Sequence, residues 1–484
     1  MKRILKILVL ILMTISIIAV TRTMLVHGKT NSTNTAVLPN VNSTEAAERL
    51  AAALRFQTIS KQDISLQDNS QFLGFHQYLQ QTFPEVHSKL EKENVAGFNL
   101  LFRWAGRNSS LKPVLLMSHQ DVVPVEQGTE QLWKSSPFAG QIVNGELYGR
   151  GAMDDKCGVL GILEAAEMLL RENYSPQRTI YFAFGADEEN MGSGAAAIAA
   201  LLKSRGIQPE SVLDEGSVIL QSTFAGVKKP KALIGISEKG YLTVEISVST
   251  EGGHSSMPPA HTAVGILSAA ILKLEENQMP ARIEGPALQT FQALAPEMSF
   301  GYRLLFSNLW LFKHPVLVKL QELPEGNAMI RTTTAPTMLQ ASPKENVLAR
   351  EARATINFRL LPGDSVEDVL NHIRKVVDDS RISIKKINAT EASPVSSAST
   401  TAYKTIAETV SKVFPETISA PLLVLGGTDA RHYTSISSNV YRFLPVAIKS
   451  DEMTMVHGTN ERIKVDGYRK AIQFYYMYLK AASQ

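Results

Sequence analysis

The chain has 484 residues, 44% hydrophobic and 20% charged, with 49 basic and 46 acidic side chains and a net charge of +3. This is ordinary globular composition, long enough for two domains, and its charge balance offers no basis for nucleic-acid binding. The single cysteine, Cys157, excludes an intramolecular disulfide and a cysteine-rich zinc site, so any metal must be held by His, Asp and Glu.

The N-terminus is basic at Lys2, Arg3 and Lys6, then apolar from Ile7 to Val20 apart from Thr14 and Ser16. Residues 1–26 therefore read as a signal peptide or a short signal anchor, with no clear A-x-A cleavage site. The basic residues stay cytoplasmic, which predicts an exported chain, secreted or membrane-anchored, with its globular part outside the cytosol. Residues 27–45 read as a polar tether. Asn31, Asn42, Asn108 and Asn388 head N-x-[ST] sequons.

Globular patterning begins near residue 45. "STEAAERLAAALRF" predicts a helix capped by Ser43 or Thr44. Val114–Met117 predicts a strand, "DKCGVLGILEAAEMLLREN" a helix, and "RTIYFAFGAD" at 178–187 a buried strand. "GAAAIAALLKSRG" predicts a helix closing on Gly206, and 217–220 a further strand. Strands alternating with helices imply an α/β domain on a mixed, largely parallel sheet, over 46–239 and 396–484.

The texture changes between those halves. "YLTVEISVST" at 241–250 and "RATINFRLL" at 353–361 alternate apolar and polar residues, as half-exposed antiparallel strands do. Helices at about 261–277 and in "SVEDVLNHIRKVVDD", with a strand in "RISIKKI", complete an inserted α+β lid over 240–395. Within it, 287–325 is unusually apolar. It predicts an extra helical hairpin packed on the lid, or an apolar wall facing a greasy substrate or a membrane.

Acids and histidines collect at the ends of core strands, where open α/β sheets build their sites. His119 and Asp121 end the first strand in "LMSHQDVVPV"; Asp154 and Asp155 lie in a glycine-flanked loop before a helix. Asp187, Glu188 and Glu189 follow a strand, Asp214 and Glu215 precede one, and His457 lies near the C-terminus. Singly, each has a structural explanation: a hydrogen-bonded strand-end His, a helix cap at Asp154-Asp155, a solvated loop at Glu188-Glu189. Brought together, the carboxylates would repel unless cations neutralised them.

"SHQDVVP", "W…PF" at Trp133 to Phe138, "YGRGAMDDK", "DEE" with "GSG", "DEG", "GGHSS", "NFRLLPG", "GGTDAR" and "HGTNE" occur in this order. From about residue 45 to the end, the chain thereby resembles the di-zinc exopeptidase family of aminoacylase and carboxypeptidase S, peptidase family M twenty. "ISEKGYLTVEI", "SNLWLF" and "NAMIRTTTAPT" resemble its long-lid branch of fatty-acyl-amino acid hydrolases and vacuolar carboxypeptidases.

The resemblance implies a zinc-exopeptidase catalytic domain holding two zinc ions per subunit, with cobalt or manganese as substitutes. By the same resemblance Asp154 bridges the metals, His119 and Asp214 complete one site, and Glu189 and His457 the other. Glu188 is the general base, Asp121 holds the His119 ring, and His254 on the lid donates to the oxyanion, in many relatives from a partner subunit. Asn346, Arg359 and Arg431 bind polar parts of the substrate, including a free carboxylate. After Asn346 the family's proline-containing run is replaced by "NVLAREAR".

The expected activity is metal-dependent hydrolysis of N-acyl amino acids, long acyl chains included, and its reversal by condensation. The alternative is a carboxypeptidase or dipeptidase acting on C-terminal peptide bonds. A third reading, an inactive tethered binding protein, would require a lost ligand or base, and every expected one stands. The resemblance further implies a homodimer through the lid. Cys157 reads as a small packing residue, and His261 and His432 as surface or packing groups.

Overall fold

The computed structural model describes residues 1–26, 36–224 and 226–484. The tether's 27–35 and the Asn31 sequon lie outside the described residues. The large sheet takes, in chain order, β1 (Glu91–Val95), β2 (Asn99–Trp104), β3 (Val114–His119), β4 (Ile180–Gly185), β5 (Ser211–Asp214), β6 (Ile219–Leu220) and β7 (Lys231–Glu238). The chain then builds a lid sheet from β8 (Gly240–Ser249), β9 (Thr333–Gln340), β10 (Glu351–Leu360) and β11 (Ser383–Thr390). It returns to the large sheet with β12 (Ile418–Val424), β13 (Val440–Arg442) and β14 (Ala447–Ile448).

The large sheet runs β1-β2-β4-β3-β5-β13-β7-β6-β14, with β12 also paired to β7. It is mixed: β3 pairs β4 and β5 in parallel, and β13 pairs β5 likewise, while β2 meets β4 antiparallel. Every residue of β3 and β4 is buried, as expected of apolar strands covered on both faces. His119 is the last residue of β3 and pairs with Gly185. The core strands thus end together at one edge.

The helices that matter to the site and its supports are α1 (Lys2–Leu25), α2 (Ser43–Ala53), α3 (Lys156–Arg171), α4 (Ser193–Ser204), α5 (Ala263–Glu276), α6 (Gly285–Leu294), α7 (Phe300–Ser307), α8 (Leu309–Gln321), α9 (Pro324–Ile330), α10 (Val366–Val377), α11 (Thr401–Val413) and α12 (Val465–Ala482), with two more at Asn69–Thr82 and Pro84–Lys89. The core that covers one face of the sheet joins Leu160 and Leu163 of α3 to Ile472 and Leu479 of α12. A second core joins Ile198 and Leu202 of α4 to Leu115 and Met117. The cap of α2 differs from expectation. Asn42 Oδ1 accepts from Glu45 N at 3.3 Å, so the cap lies one residue before Ser43.

In the lid, β8 and β10 alternate buried and half-buried residues, and their inward side chains pack on α5 and α10. Ser365 and Asp368 form a capping box at the start of α10. The apolar run expected as a hairpin on the lid forms four helices, α6 to α9. Phe291, Leu294, Met298 and Ile330 share their core with Ala420 of β12, and Thr290 Oγ1 donates to Pro421 O at 2.7 Å. The helices cover β12, which hangs beside β7 and would otherwise leave an apolar face and a strand edge open.

The apolar run from Ile7 to Val20 lies within a longer helix. α1 has 24 residues and a mean hydropathy of 2.7 in its apolar window, enough by length and composition to cross a membrane.

Candidate metal centre and active site

β3 delivers His119 into the cluster with its ring gripped on both sides. Nδ1 lies 3.1 Å from the Asp121 carbonyl oxygen and 3.3 Å from Asp121 Oδ1, and Nε2 lies 2.9 Å from Asp154 Oδ1. The other oxygen of Asp154 faces His457 Nε2 at 3.0 Å, and that nitrogen is 3.2 Å from Glu189 Oε2. Asp154 therefore meets one histidine at each carboxylate oxygen. Ligand atoms in three groups lie within 4.8 Å of one another: His119, Asp154 and Glu215; His119, Glu188 and Glu189; Asp154, Glu189 and His457.

The Asp214-Glu215 pair is divided between two tasks. Asp214, expected to face the cluster, accepts from Glu215 N at 3.0 Å and from Ala430 N at 2.8 Å. Glu215 joins His119 and Asp154 instead. Neighbouring side chains at a strand end point to opposite sides, so only one of the two can face inward.

Asp121 does more than hold an imidazole. Fully buried, it accepts from Glu188 N at 3.2 Å through Oδ1, and from Glu189 N at 3.1 Å and Ser60 Oγ at 2.7 Å through Oδ2. The carboxylate sits at the positive start of the short turn after β4 and fixes both glutamates. Asp155 makes no side-chain cap on α3; its carboxylate takes the Ser118 hydroxyl. Asp187 accepts from Gly194 N at 3.0 Å at the start of α4. Gly192 between them has φ +63°, and a Cβ there would fall 1.9 Å from Asp429 Oδ1.

Two residues not singled out from the sequence tie the site together. Glu461, which closes "HGTNE", accepts from Gly151 N at 3.0 Å, Met153 N at 2.8 Å and Asp154 N at 3.0 Å. It also pairs with buried Arg150 at 2.7 Å, and Arg150 donates to the His457 and Gly458 carbonyls at 3.0 and 3.1 Å. The loop carrying Asp154 and the loop carrying His457 are thereby clamped to each other. A pairing across 311 residues leaves no local signal in the sequence. Asp429, inside "GGTDAR", is buried beside Gly185 and Gly192.

The remaining expected residues lie around this centre. His254, exposed on the lid, has Nδ1 2.8 Å from Ser256 Oγ, and the carbonyl of exposed Asn346 accepts from Ser255 N at 3.2 Å. Neither is among the converging groups. Arg431 donates to Met191 O at 3.0 Å, next to the Glu188-Glu189 turn, and Arg359 stacks on Tyr241 at 4.8 Å. Burial, then the charge of Arg431, holds Arg359 below the ordinary guanidinium range, and burial with Arg359 brings Lys239 down to about 7. These cations gather where the lid meets the catalytic sheet. Cys157 is buried with Sγ donating to Met153 O at 3.4 Å, a packing position, and His261 is exposed.

The electrostatics are those of a site built around cations. Burial pushes Glu188 and Glu215 well above the ordinary carboxylate range, and neighbouring acids push both further up. Burial would raise Asp154 too, but bonds from His119 and His457 bring it below that range. His457 is raised to about 10 by Asp154 and Glu189; His119 overcomes its burial through Asp121 and Asp154 and also rises. Glu189 Oε1 is buried with no hydrogen-bond partner among the described residues. An orphaned carboxylate oxygen among imidazoles and acids fits the hard-oxygen and nitrogen donor set of a divalent ion.

Strand-end carboxylates and histidines, the half-buried Glu188 beside them, and a lid bearing cations are the parts of a metal-dependent hydrolase of amide bonds. The chain belongs to peptidase family M20/M25/M40, matched over residues 115–481. A Dictyostelium discoideum protein described as probable carboxypeptidase S-like 2 is 42% identical over 442 residues, 90% of this chain and 85% of its own length. The N-fatty-acyl-amino acid synthase/hydrolase PM20D1 of Homo sapiens is 39% identical over 442 residues, 90% of this chain and 87% of that one. Among solved structures, the M20 family metallo-carboxypeptidase Sso-CP2 from Sulfolobus solfataricus shares the fold, with a TM-score of 0.65 at 20% identity over 91% of this chain and 99% of that one.

Proposed function

We propose that the chain hydrolyses N-acyl amino acids, long acyl chains included, on two divalent ions, zinc by preference. Asp154 would be shared between the ions, with His119 and Glu215 on one side and Glu189 and His457 on the other. The observation that carries this is the two-sided use of Asp154, His119 at Oδ1 and His457 at Oδ2. When bound, such ions supply Lewis acidity and a water acidic enough to attack near neutral pH.

The protein's own groups do the rest. Glu188, held by Asp121, takes the proton of the attacking water and returns it to the leaving nitrogen. Arg431, with Arg359 facing it from the lid, offers planar donors to the free carboxylate of the amino acid. His254 would donate to the oxyanion from the lid, or from the lid of a second copy. Hydrolysis and condensation share one transition state, so concentrations set the net direction.

The same site serves a C-terminal peptide bond, and relatives described as carboxypeptidase S-like favour that reading. A panel separates the two: kcat/KM for an oleoyl amino acid exceeds that for a dipeptide, with metal content measured on the same samples. A dipeptide preferred by orders of magnitude overturns the acyl reading. As for location, the far end of α1 would place the enzyme outside the cytosol, secreted or anchored.

Metal loading also has a proton signature. His457 holds its proton up to about 10 without metal, whereas a ligating imidazole must be neutral. At pH 7 each loaded site therefore displaces protons, and apparent affinity climbs with pH until that proton is gone. Titrating zinc into chelator-treated protein in buffers of different ionisation enthalpy measures the release. No released protons would contradict the assignment of His457.

A further inference from the structure

Asn308 lies between α7 and α8 and is 0% exposed, although both helices present side chains to solvent. What buries it is α1. Its Nδ2, with two hydrogens to give, is ringed by three acceptors, Leu304 O at 2.9 Å, Ala19 O at 3.1 Å and Thr23 Oγ1 at 3.0 Å. Its Oδ1 accepts from Trp310 Nε1 at 3.2 Å. Thr23 Oγ1 in turn donates to Ala19 O at 2.7 Å. Ala19 and Thr23 are the buried residues of α1, one turn apart and small enough for close approach. If α1 left, this amide would exchange Ala19 O and Thr23 Oγ1 for water, so the contact is specific to a docked α1.

Between Lys6 and Arg22, α1 is mostly apolar and largely exposed. Its 24 residues span about 36 Å, against about 30 Å of hydrocarbon. With Lys2, Arg3 and Lys6 on the cytoplasmic side, Ala19 and Thr23 fall at the opposite boundary. Whatever they bind lies at that boundary too. There α7 and α8 expose Phe300, Tyr302, Trp310, Leu311 and Val318, with Trp310 at 52%. Tyr and Trp are the residues a bilayer boundary favours. Two lysines of α8 are engaged, Lys319 with Glu322 at 2.5 Å and Lys313 with Glu284 at 3.8 Å. Arg303 of α7 has no acidic partner among the described residues, so the exposed rings supply attachment alongside this one arginine.

We propose that α7 and α8 lie in the outer headgroup layer of the bilayer that α1 spans, locked to this anchor through Asn308. The core of α6 to α9 continues into β12, whose end leads to the loop of Asp429 and Arg431. The membrane dock and the candidate active site thus share one strand, and an acyl chain partitioned in the bilayer would lie beside the molecule that cleaves it.

The test uses the full chain in phosphatidylcholine vesicles brominated at a shallow or a deep acyl position. Trp104 and Trp133 are only 6% and 7% exposed, and α1 has no tryptophan, so quenching reports Trp310. Shallow bromines should dim the emission more than deep ones, and Trp310→Phe should abolish the difference. Equal emission with and without bromine, in chains that resist carbonate extraction, overturns the proposal. Asn308→Ala should reduce quenching while α1 stays inserted; unchanged quenching overturns the lock. Quenching lost in high salt would overturn attachment by ring burial. The readout needs no turnover, so it stands or fails apart from the substrate proposed above.

Discussion

Glu188→Gln lowers kcat about a thousandfold, the usual weight of a positioned general base, and leaves metal content and fold intact. The reasons are local. The backbone N–H of Glu188, not its side chain, holds the turn to Asp121 at 3.2 Å, and Gln keeps that bond and the side-chain shape. What is lost is a carboxylate whose affinity for a proton burial has raised well above the ordinary range. A base so poised can take a proton from water and still release it to a leaving amine. Steady-state kinetics with metal analysis on the same preparation is the check. Near-normal turnover would remove Glu188 from the proton path.

The second large effect distinguishes two adjacent acids. On the two-ion proposal, Glu215→Ala should lower bound metal toward one ion per chain and abolish turnover, because the His119 side loses a carboxylate. Asp214→Asn should keep the metal and lose about 1–3 kcal/mol of stability, since an amide can satisfy only one of the two backbone donors at 3.0 and 2.8 Å. Elemental analysis and thermal unfolding of both variants read this directly. The opposite pattern, metal lost from Asp214→Asn and kept in Glu215→Ala, would return Asp214 to the metals.

Most of the sheet was legible because it follows from periodicity. β3 and β4 announce themselves as uninterrupted apolar runs, and β8 and β10 as strict alternation. The His119–Asp121 spacing was legible too, since extended backbone puts both side chains on one side. Choices within one residue were less so. Asn42, Ser43 and Thr44 are all good caps, and only the backbone path picks Asn42. Asp214 and Glu215 are both acids, and a strand end can turn either inward. The apolar insert reads as greasy from composition alone, but nothing local says that β12 needs covering. Glu461 was invisible for a different reason: its partners, Arg150 and the amides around Asp154, are more than 300 residues away.

That distance orders events in time. A chain emerging during synthesis presents His119, Asp154, Glu189 and Glu215 long before His457 and Glu461 exist. Until the last strands and α12 dock, the Asp154 loop lacks its clamp and the centre has only part of its donor set. The closing contact spans 311 positions, so it carries a high loop-closure cost and forms late. On the proposed donor set, a chain lacking His457 and Glu461 should be inert toward amide bonds and should hold metal at less than full strength.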